Sequence, residues 1–299
     1  MKIVTEFNGE QKKFHWYWLP LMYKHQECEF YVHAPRGFVY PKDVKNLKVN
    51  DINISINLNK KESDVFAVLI HGLQSNKEVF STIQSDIEEK LDFSTLSIDL
   101  VGFGNSEKPD NFPYDLISQA TIVKDILRTL EIRNIIFIGH SYGGMISTYL
   151  SNQSDLNILA LISLEGNLTK GDCGESMNVS NLSFSDFKPY YNELISKLDN
   201  TKKFAEQFRA HALKKIPDYV FYKSSKTIVD WSIKSNLFTQ FIKIKIPKLL
   251  IIASDSGYQS KPDDKHTLIK TINKAGHFML LQERIITSEI ITDFLINLN

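Results

Sequence analysis

The sequence carries no excess of either charge: 35 lysines and arginines stand against 35 aspartates and glutamates. That balance removes the electrostatic case for a nucleic-acid partner, an anionic membrane surface or strongly acidic substrates, and leaves a small molecule as the expected partner. Cysteine is scarce. Cys28 and Cys173 lie far apart, with neither a C-x-x-C nor a zinc-type spacing, so no disulfide framework and no structural zinc site are expected, and two free thiols fit a reducing, cytoplasmic setting. No stretch approaches the roughly 18 apolar residues of a membrane-spanning helix. Residues 1–13 mix charged and apolar side chains where a signal peptide needs an apolar core. H-E-x-x-H, P-loop and G-x-G-x-x-G motifs are all missing, so no cofactor and no metal are implied. Internal repeats and low-complexity segments are missing too. The N-x-S/T tripeptides at Asn167 and Asn178 read as coincidences in an asparagine-rich chain. Oligomeric state is not legible.

What is present is a long alternation of two kinds of segment. Continuous apolar runs, such as Val65-Phe66-Ala67-Val68-Leu69-Ile70 and Asn134-Ile135-Ile136-Phe137-Ile138, have the character of strands covered on both faces. Further strands are expected at 47–58, where apolar residues alternate, and at 94–98, 158–164, 247–253 and 267–272. Between them, helical spacing marks 75–91, 116–130, 145–153 and 283–298. Strand and helix in turn predict an α/β fold, a mostly parallel sheet with helices on both faces. From 166 to 245 the alternation stops and helical patterns alone remain, at 183–198, 202–216, 226–235 and 237–244, which reads as an all-α cap insertion. The chain then divides into an N-terminal extension over 1–45, a core over 46–165 and 246–299, and a cap over 166–245. The extension holds an aromatic-rich stretch at 14–23, expected to pack on the surface of the domain.

Gly139-His140-Ser141-Tyr142-Gly143-Gly144 sits between an apolar strand and a helix. A G-x-S-x-G in that setting is a nucleophile elbow: the serine stands on a tight strand-to-helix turn, and small neighbours let the helix cross close to the strand. Serine is a poor nucleophile at neutral pH, so it needs an adjacent base and an acid to orient that base. His277, in a loop between the last strand and the last helix, is the candidate base. His71, Asp99, Ser141 and Glu165 all fall at carboxyl ends of expected strands, where sheets of this kind place their chemistry.

His71-Gly72, Asp99-Leu100-Val101-Gly102-Phe103-Gly104-Asn105-Ser106, the elbow and Gly276-His277-Phe278 stand in an order and spacing that resembles the α/β-hydrolase superfamily. The chain looks like a capped member of its ester- and epoxide-hydrolase branch, over roughly residues 65–299. The resemblance implies Ser141 as nucleophile, His277 as general base, and an oxyanion hole from the backbone N–H groups of Leu73 and Tyr142. It leaves the acid open. Relatives commonly carry it just past the strand that begins at Pro247, where this sequence has Ser256, with Asp255 one residue early. A minority place it after the preceding strand, where Glu165 stands. A carboxylate ending an apolar strand is costly unless paired, which favours Glu165, while aspartate in Ser254-Asp255-Ser256-Gly257 is an ordinary turn residue. Asp99 is expected to tie down its own loop.

Serine rather than aspartate at the elbow selects attack on a carbonyl carbon. The expected activity is hydrolysis of a small carboxylic ester, thioester or lactone through an acyl-enzyme. Twelve aromatic residues in the cap, Phe184 to Phe241, suggest an apolar pocket, or else the glue of the cap helices, so a hydrophobic substrate is a mild preference. The alternative is a ligand receptor or regulatory binding protein on the same fold with slow hydrolysis.

Overall fold

A computed structural model describes residues 44–153 and 155–298. The aromatic stretch at 14–23 and nearly all of the expected N-terminal extension lie outside the described residues. Eight strands form one sheet: β1 (Val44–Val49), β2 (Ile52–Asn59), β3 (Val65–Ile70), β4 (Ser94–Ile98), β5 (Asn134–His140), β6 (Asn157–Leu164), β7 (Lys248–Ala253) and β8 (Thr267–Ile272). Their order is β1-β2-β4-β3-β5-β6-β7-β8. β2 pairs antiparallel with both of its neighbours, and every other pairing is parallel.

The apolar runs are explained by the two faces they serve. Along β3, Phe66, Val68 and Ile70 enter one buried cluster while Ala67 and Leu69 enter another. β5 repeats the pattern, with Ile135 and Phe137 on one side and Ile136 and Ile138 on the other. Side chains alternate across a strand, so a strand covered on both faces tends to a continuous apolar run. Helix α1 (Ser81–Lys90) and the C-terminal helix α10 (Arg284–Ile296) cover one face, where Ile83, Ile87, Ile291 and Leu295 join the second cluster. Helices α2 (Leu116–Thr129) and α3 (Tyr142–Leu150) cover the other, where Val123, Ile126, Met145 and Ile146 join the first.

One expected strand is two. Residues 47–58 form the β1–β2 hairpin, turning at Asn50 and Asp51, with Val49 opposite Ile52. Both turn residues have positive φ, 49° and 63°, as the favoured two-residue hairpin turn requires, and Asn and Asp tolerate that conformation. The alternation changes phase at the turn, from odd positions (Leu47, Val49) to even ones (Ile52, Ile54, Ile56, Leu58), and that slip of one residue is the trace the hairpin leaves in the sequence.

Between β6 and β7 the described chain contains helices and no strand: α4 (Glu175–Ser180), α5 (Phe184–Asp199), α6 (Phe204–Lys214), α7 (Asp218–Lys234) and α8 (Leu237–Lys243). α7 begins eight residues before its expected start at 226. Its first turn holds the aromatic run Tyr219-Val220-Phe221-Tyr222, poor in helix propensity, but Val220 and Phe221 are fully buried, and packing overrides propensity. Aromatic side chains of these helices stack on one another: Phe187 lies within 5.3–6.3 Å, ring centre to ring centre, of Phe184, Tyr191, Phe221 and Tyr222. α9 (Met279–Gln282) is a single turn before α10.

Candidate active site

β5 ends at His140 and α3 begins at Tyr142, so the turn between them is one residue, Ser141, with φ 54° and ψ −117°. A non-glycine residue in that region costs on the order of 1–3 kcal/mol and persists only where its surroundings over-determine it. Two features do so. The Ser141 amide donates to the Leu164 carbonyl at 2.9 Å, and its carbonyl accepts from the Met145 amide at 3.1 Å, the first bond of α3. α3 then runs so close to β3 that a Cβ on Gly143 would lie 1.9 Å from the Ile70 carbonyl oxygen. Only glycine fits there. On the other side of Ser141, a Cβ on Gly72 would come within 2.9 Å of the serine's own Cβ.

Glu165 follows β6 directly, at φ 47°. Its carboxylate is fully buried and fully occupied. One oxygen, Oε2, lies 2.7 Å from Nδ1 of His277. The other, Oε1, accepts from the Ala253 amide at 2.8 Å and from the Ser256 hydroxyl. A buried carboxylate needs such partners to offset its lost hydration. His277 sits in the loop between β8 and α9, with about a third of its side chain exposed. With the Nδ1 proton directed at Glu165, Nε2 carries the imidazole lone pair. Asp255, the other candidate acid, is exposed, and its carboxylate accepts from the adjacent Ser254 hydroxyl rather than from His277.

The Ser141 hydroxyl donates to Oδ1 of Asn167 at 3.3 Å. The Asn167 amide nitrogen is committed to the Asp172 carbonyl at 2.6 Å, which turns its oxygen toward the serine. That bond also places Asn167 in the interior, out of reach of a glycan. Serine and imidazole share one cavity, of about 360 Å³, whose wall includes Ser141, Glu165, His277, Leu73, Asn167 and Arg209. None of the twelve cap aromatics lines it; its two aromatic wall residues, Tyr258 and Phe278, come from the loops after β7 and β8. Of the two readings of these aromatics, packing is the one the structure bears out: Phe187 and its neighbours stack on one another, Tyr219 and Trp231 pack edge-on against Tyr114 and Tyr149, and Phe204 and Phe208 pack against the second core cluster.

Leu73 is on the cavity wall, and Tyr142 is the first residue of α3, buried behind Ser141. First-turn amides of a helix have no intrahelical acceptor, which leaves the Tyr142 N–H available. The loop bearing Leu73 is pinned by His71, whose Nδ1 donates to the Gly72 carbonyl at 2.7 Å while Nε2 accepts from the Leu100 amide at 3.1 Å. Asp99 serves structure: one carboxylate oxygen accepts from the Lys77 amide and the other from Lys77 Nζ and the Asn105 amide, at 2.7–2.9 Å.

His140 is buried beneath His277, ring centres 4.8 Å apart, and its Nε2 donates to the His277 carbonyl at 2.8 Å. Burial, reinforced by the charge of His277, holds its pKa well below 6.5, so it stays neutral. Sequence reasoning overlooked Asn167 as a site residue, although it lies two residues from Glu165. It also missed Gln74 and Arg209, which no motif marks. Among the described residues no three His, Cys, Asp or Glu side chains converge as metal ligands do, and no helix is long and apolar enough to cross a membrane.

A family model described as "alpha/beta hydrolase fold" matches residues 68–283. The chain belongs to this family. Among curated α/β-hydrolase relatives, the 2-(acetamidomethylene)succinate hydrolase of Mesorhizobium japonicum is 31% identical over 90 residues, 30% of this chain and 31% of that protein. The sn-1-specific diacylglycerol lipase ABHD11 of Xenopus laevis is 27% identical over 176 residues, 59% of this chain and 50% of that protein. These matches span half or less of the relatives' own lengths. Among solved structures, an esterase from Exiguobacterium antarcticum superposes with a TM-score of 0.69 at 17% identity, covering 83% of this chain and 98% of that one, which is a likeness of fold.

Proposed function

We propose that this α/β hydrolase is a serine hydrolase that cleaves a carboxylic ester, thioester or lactone of a small substrate through an acyl-enzyme. Ser141 is the nucleophile, His277 the general base and Glu165 the acid that orients it. The reading rests on one observation above all: the 2.7 Å contact between His277 Nδ1 and a fully buried Glu165, on the wall of the cavity that also holds Ser141. In that arrangement the serine hydroxyl turns from Asn167 toward Nε2, and its oxygen attacks the carbonyl carbon as the proton passes to the imidazole. Such hydrogen bonds are often incomplete before substrate binds. The N–H groups of Leu73 and Tyr142 receive the developing oxyanion, a kind of stabilisation that usually supplies the largest catalytic term. Glu165 stabilises the imidazolium. The proton then goes to the leaving oxygen or sulfur as its bond to carbon breaks, and water repeats the cycle to release the acid. The helices between β6 and β7 act as a cap over this cavity.

A volume near 360 Å³ lies at the lower end of the usual range for ligand pockets, about 300–1,000 Å³, and favours a small substrate. The relatives named as hydrolase, lipase and esterase are consistent with this chemistry. The test is stoichiometric labelling by a fluorophosphonate together with turnover of short p-nitrophenyl esters, both lost in Ser141→Ala with the fold intact. A wild-type protein that neither labels nor turns over would refute the proposal.

A further inference from the structure

Arg209, on α6, reaches the wall of the cavity that holds Ser141. Its Nε donates to Oε1 of Gln74 at 2.9 Å, Nη2 donates to the same oxygen, and its guanidinium carbon lies 4.3 Å from the centre of the Phe278 ring. Both anchors are neighbours of the proposed machinery: Gln74 follows Leu73, and Phe278 follows His277. A positive charge is thus held between the residue beside the oxyanion donor and the residue beside the base.

Neither anchor neutralises it. Gln74 is uncharged and occupies two of the five guanidinium N–H donors. Glu206 and Glu175 act on Arg209 through their fields only; neither forms an ion pair with it. The other carboxyl groups of the cavity wall are engaged elsewhere. Glu165 holds His277, Ala253 and Ser256. Asp172 accepts from the amides of Thr169, Gln259 and Ser260 and from the hydroxyls of Thr169 and Ser260. Glu175 accepts from the Tyr190 hydroxyl, and burial pushes its carboxyl toward the neutral form. A half-buried cation without a counter-ion is costly unless something else supplies the charge, and an arginine fork matches a carboxylate.

We propose that Arg209 receives a carboxylate carried by the substrate itself, so that the preferred class is a half-ester or half-thioester of a small dicarboxylic acid. The assignment rests on the hydrolase reading above. It makes Arg209 a specificity residue for the acyl group, braced by Gln74 and Phe278, and the same contact should retain the dicarboxylate product.

The experiment compares kcat/KM for monomethyl glutarate with that for methyl pentanoate, two esters with the same leaving group and acyl length that differ in one carboxylate. The wild type should prefer the half-ester by about tenfold or more, the worth of a charge-assisted hydrogen bond. In Arg209→Gln that preference ratio should fall by more than about fivefold. A smaller fall, or no preference in the wild type, overturns the proposal. Should Arg209→Gln fail to fold, Arg209→Lys, which keeps the charge and loses the fork, takes its place with the same threshold. Fluorophosphonate labelling of the same preparations separates the two readings. If labelling is absent the hydrolase reading falls, and the anion site is then decided by calorimetric binding of glutarate to Ser141→Ala, which Arg209→Gln must weaken by more than about fivefold for the site to stand.

Discussion

Ser256 donates its hydroxyl to Oε1 of Glu165, the carboxylate whose other oxygen meets His277. Ser256 stands in the loop after β7, and Glu165 reaches the same place from the end of β6. β6 and β7 are adjacent parallel strands, with Leu164 beside Ile251, so their carboxyl ends open onto one spot and a carboxylate from either can serve one imidazole.

The first prediction separates the two acids. Glu165→Gln should lower kcat for a p-nitrophenyl ester by about 10³-fold or more, because an amide no longer fixes the imidazole tautomer or stabilises its cation, by analogy with the aspartate-to-asparagine change in a serine protease triad. Asp255→Asn, in the exposed turn, should stay within about threefold of wild type, as surface substitutions usually do. A large loss in Asp255→Asn with a small one in Glu165→Gln would reverse the assignment.

In the proposed mechanism Asn167, which accepts from the Ser141 hydroxyl at 3.3 Å, competes with His277 for the serine proton. Asn167→Asp places a charged acceptor there, which holds that proton more tightly and repels the oxyanion, so kcat/KM should drop about tenfold or more. The rate of fluorophosphonate labelling should drop in parallel. Labelling as fast as wild type would exclude this role for Asn167.

Lys77 and Asp99 form a buried ion pair, 2.8 Å apart, with both side chains essentially inaccessible. Asp99→Asn removes the nearer of the lysine's two carboxylate partners and leaves it only Glu78, at 3.4 Å, which should cost up to about 3–5 kcal/mol. Urea unfolding measures the loss, and a change under about 1 kcal/mol would show that the pair does not hold this loop.

Stability should fall in mild acid. Burial lowers the pKa of His71, outweighing the opposing pull of Asp99, and lowers that of His140, with the charge of His277 adding to the effect. In the unfolded chain both imidazoles take up protons as pH drops below about 6.5, while in the folded chain they resist, so the unfolded state binds more protons. Their contribution is complete above that pH and is lost progressively below it, by up to about 1.4 kcal/mol per pH unit for each histidine. Thermal melts between pH 8 and pH 5 should show a declining Tm, with a shallower slope in His140→Gln. Equal slopes in the two proteins would contradict this account.

Much of this was legible in the chain alone because it depends on local pattern. Strands covered on both faces read as near-continuous apolar runs, so β3, β5, β6 and β7 announce themselves, and a serine on a strained turn beside a tightly packed helix requires the glycines that surround Ser141. The same pattern singled out Ser141 as a candidate, and the loop before the last helix singled out His277. For the acid, the cost of a carboxylate ending an apolar strand favoured Glu165, but local pattern could not decide it, since Glu165 and Asp255 both follow a strand and precede His277 in the chain. The pairing of β6 with β7 and the depth of each carboxyl group separate them: one is buried against the imidazole, the other faces water. The lining of the cavity is the clearest case. Twelve aromatic residues suggested an apolar cap, yet which face of a helix meets its neighbours and which meets the cavity is set by packing across the whole segment. Periodicity reports that a helix has a buried side; only the tertiary structure decides that Phe187 is spent on other aromatics while Arg209 reaches Ser141's cavity.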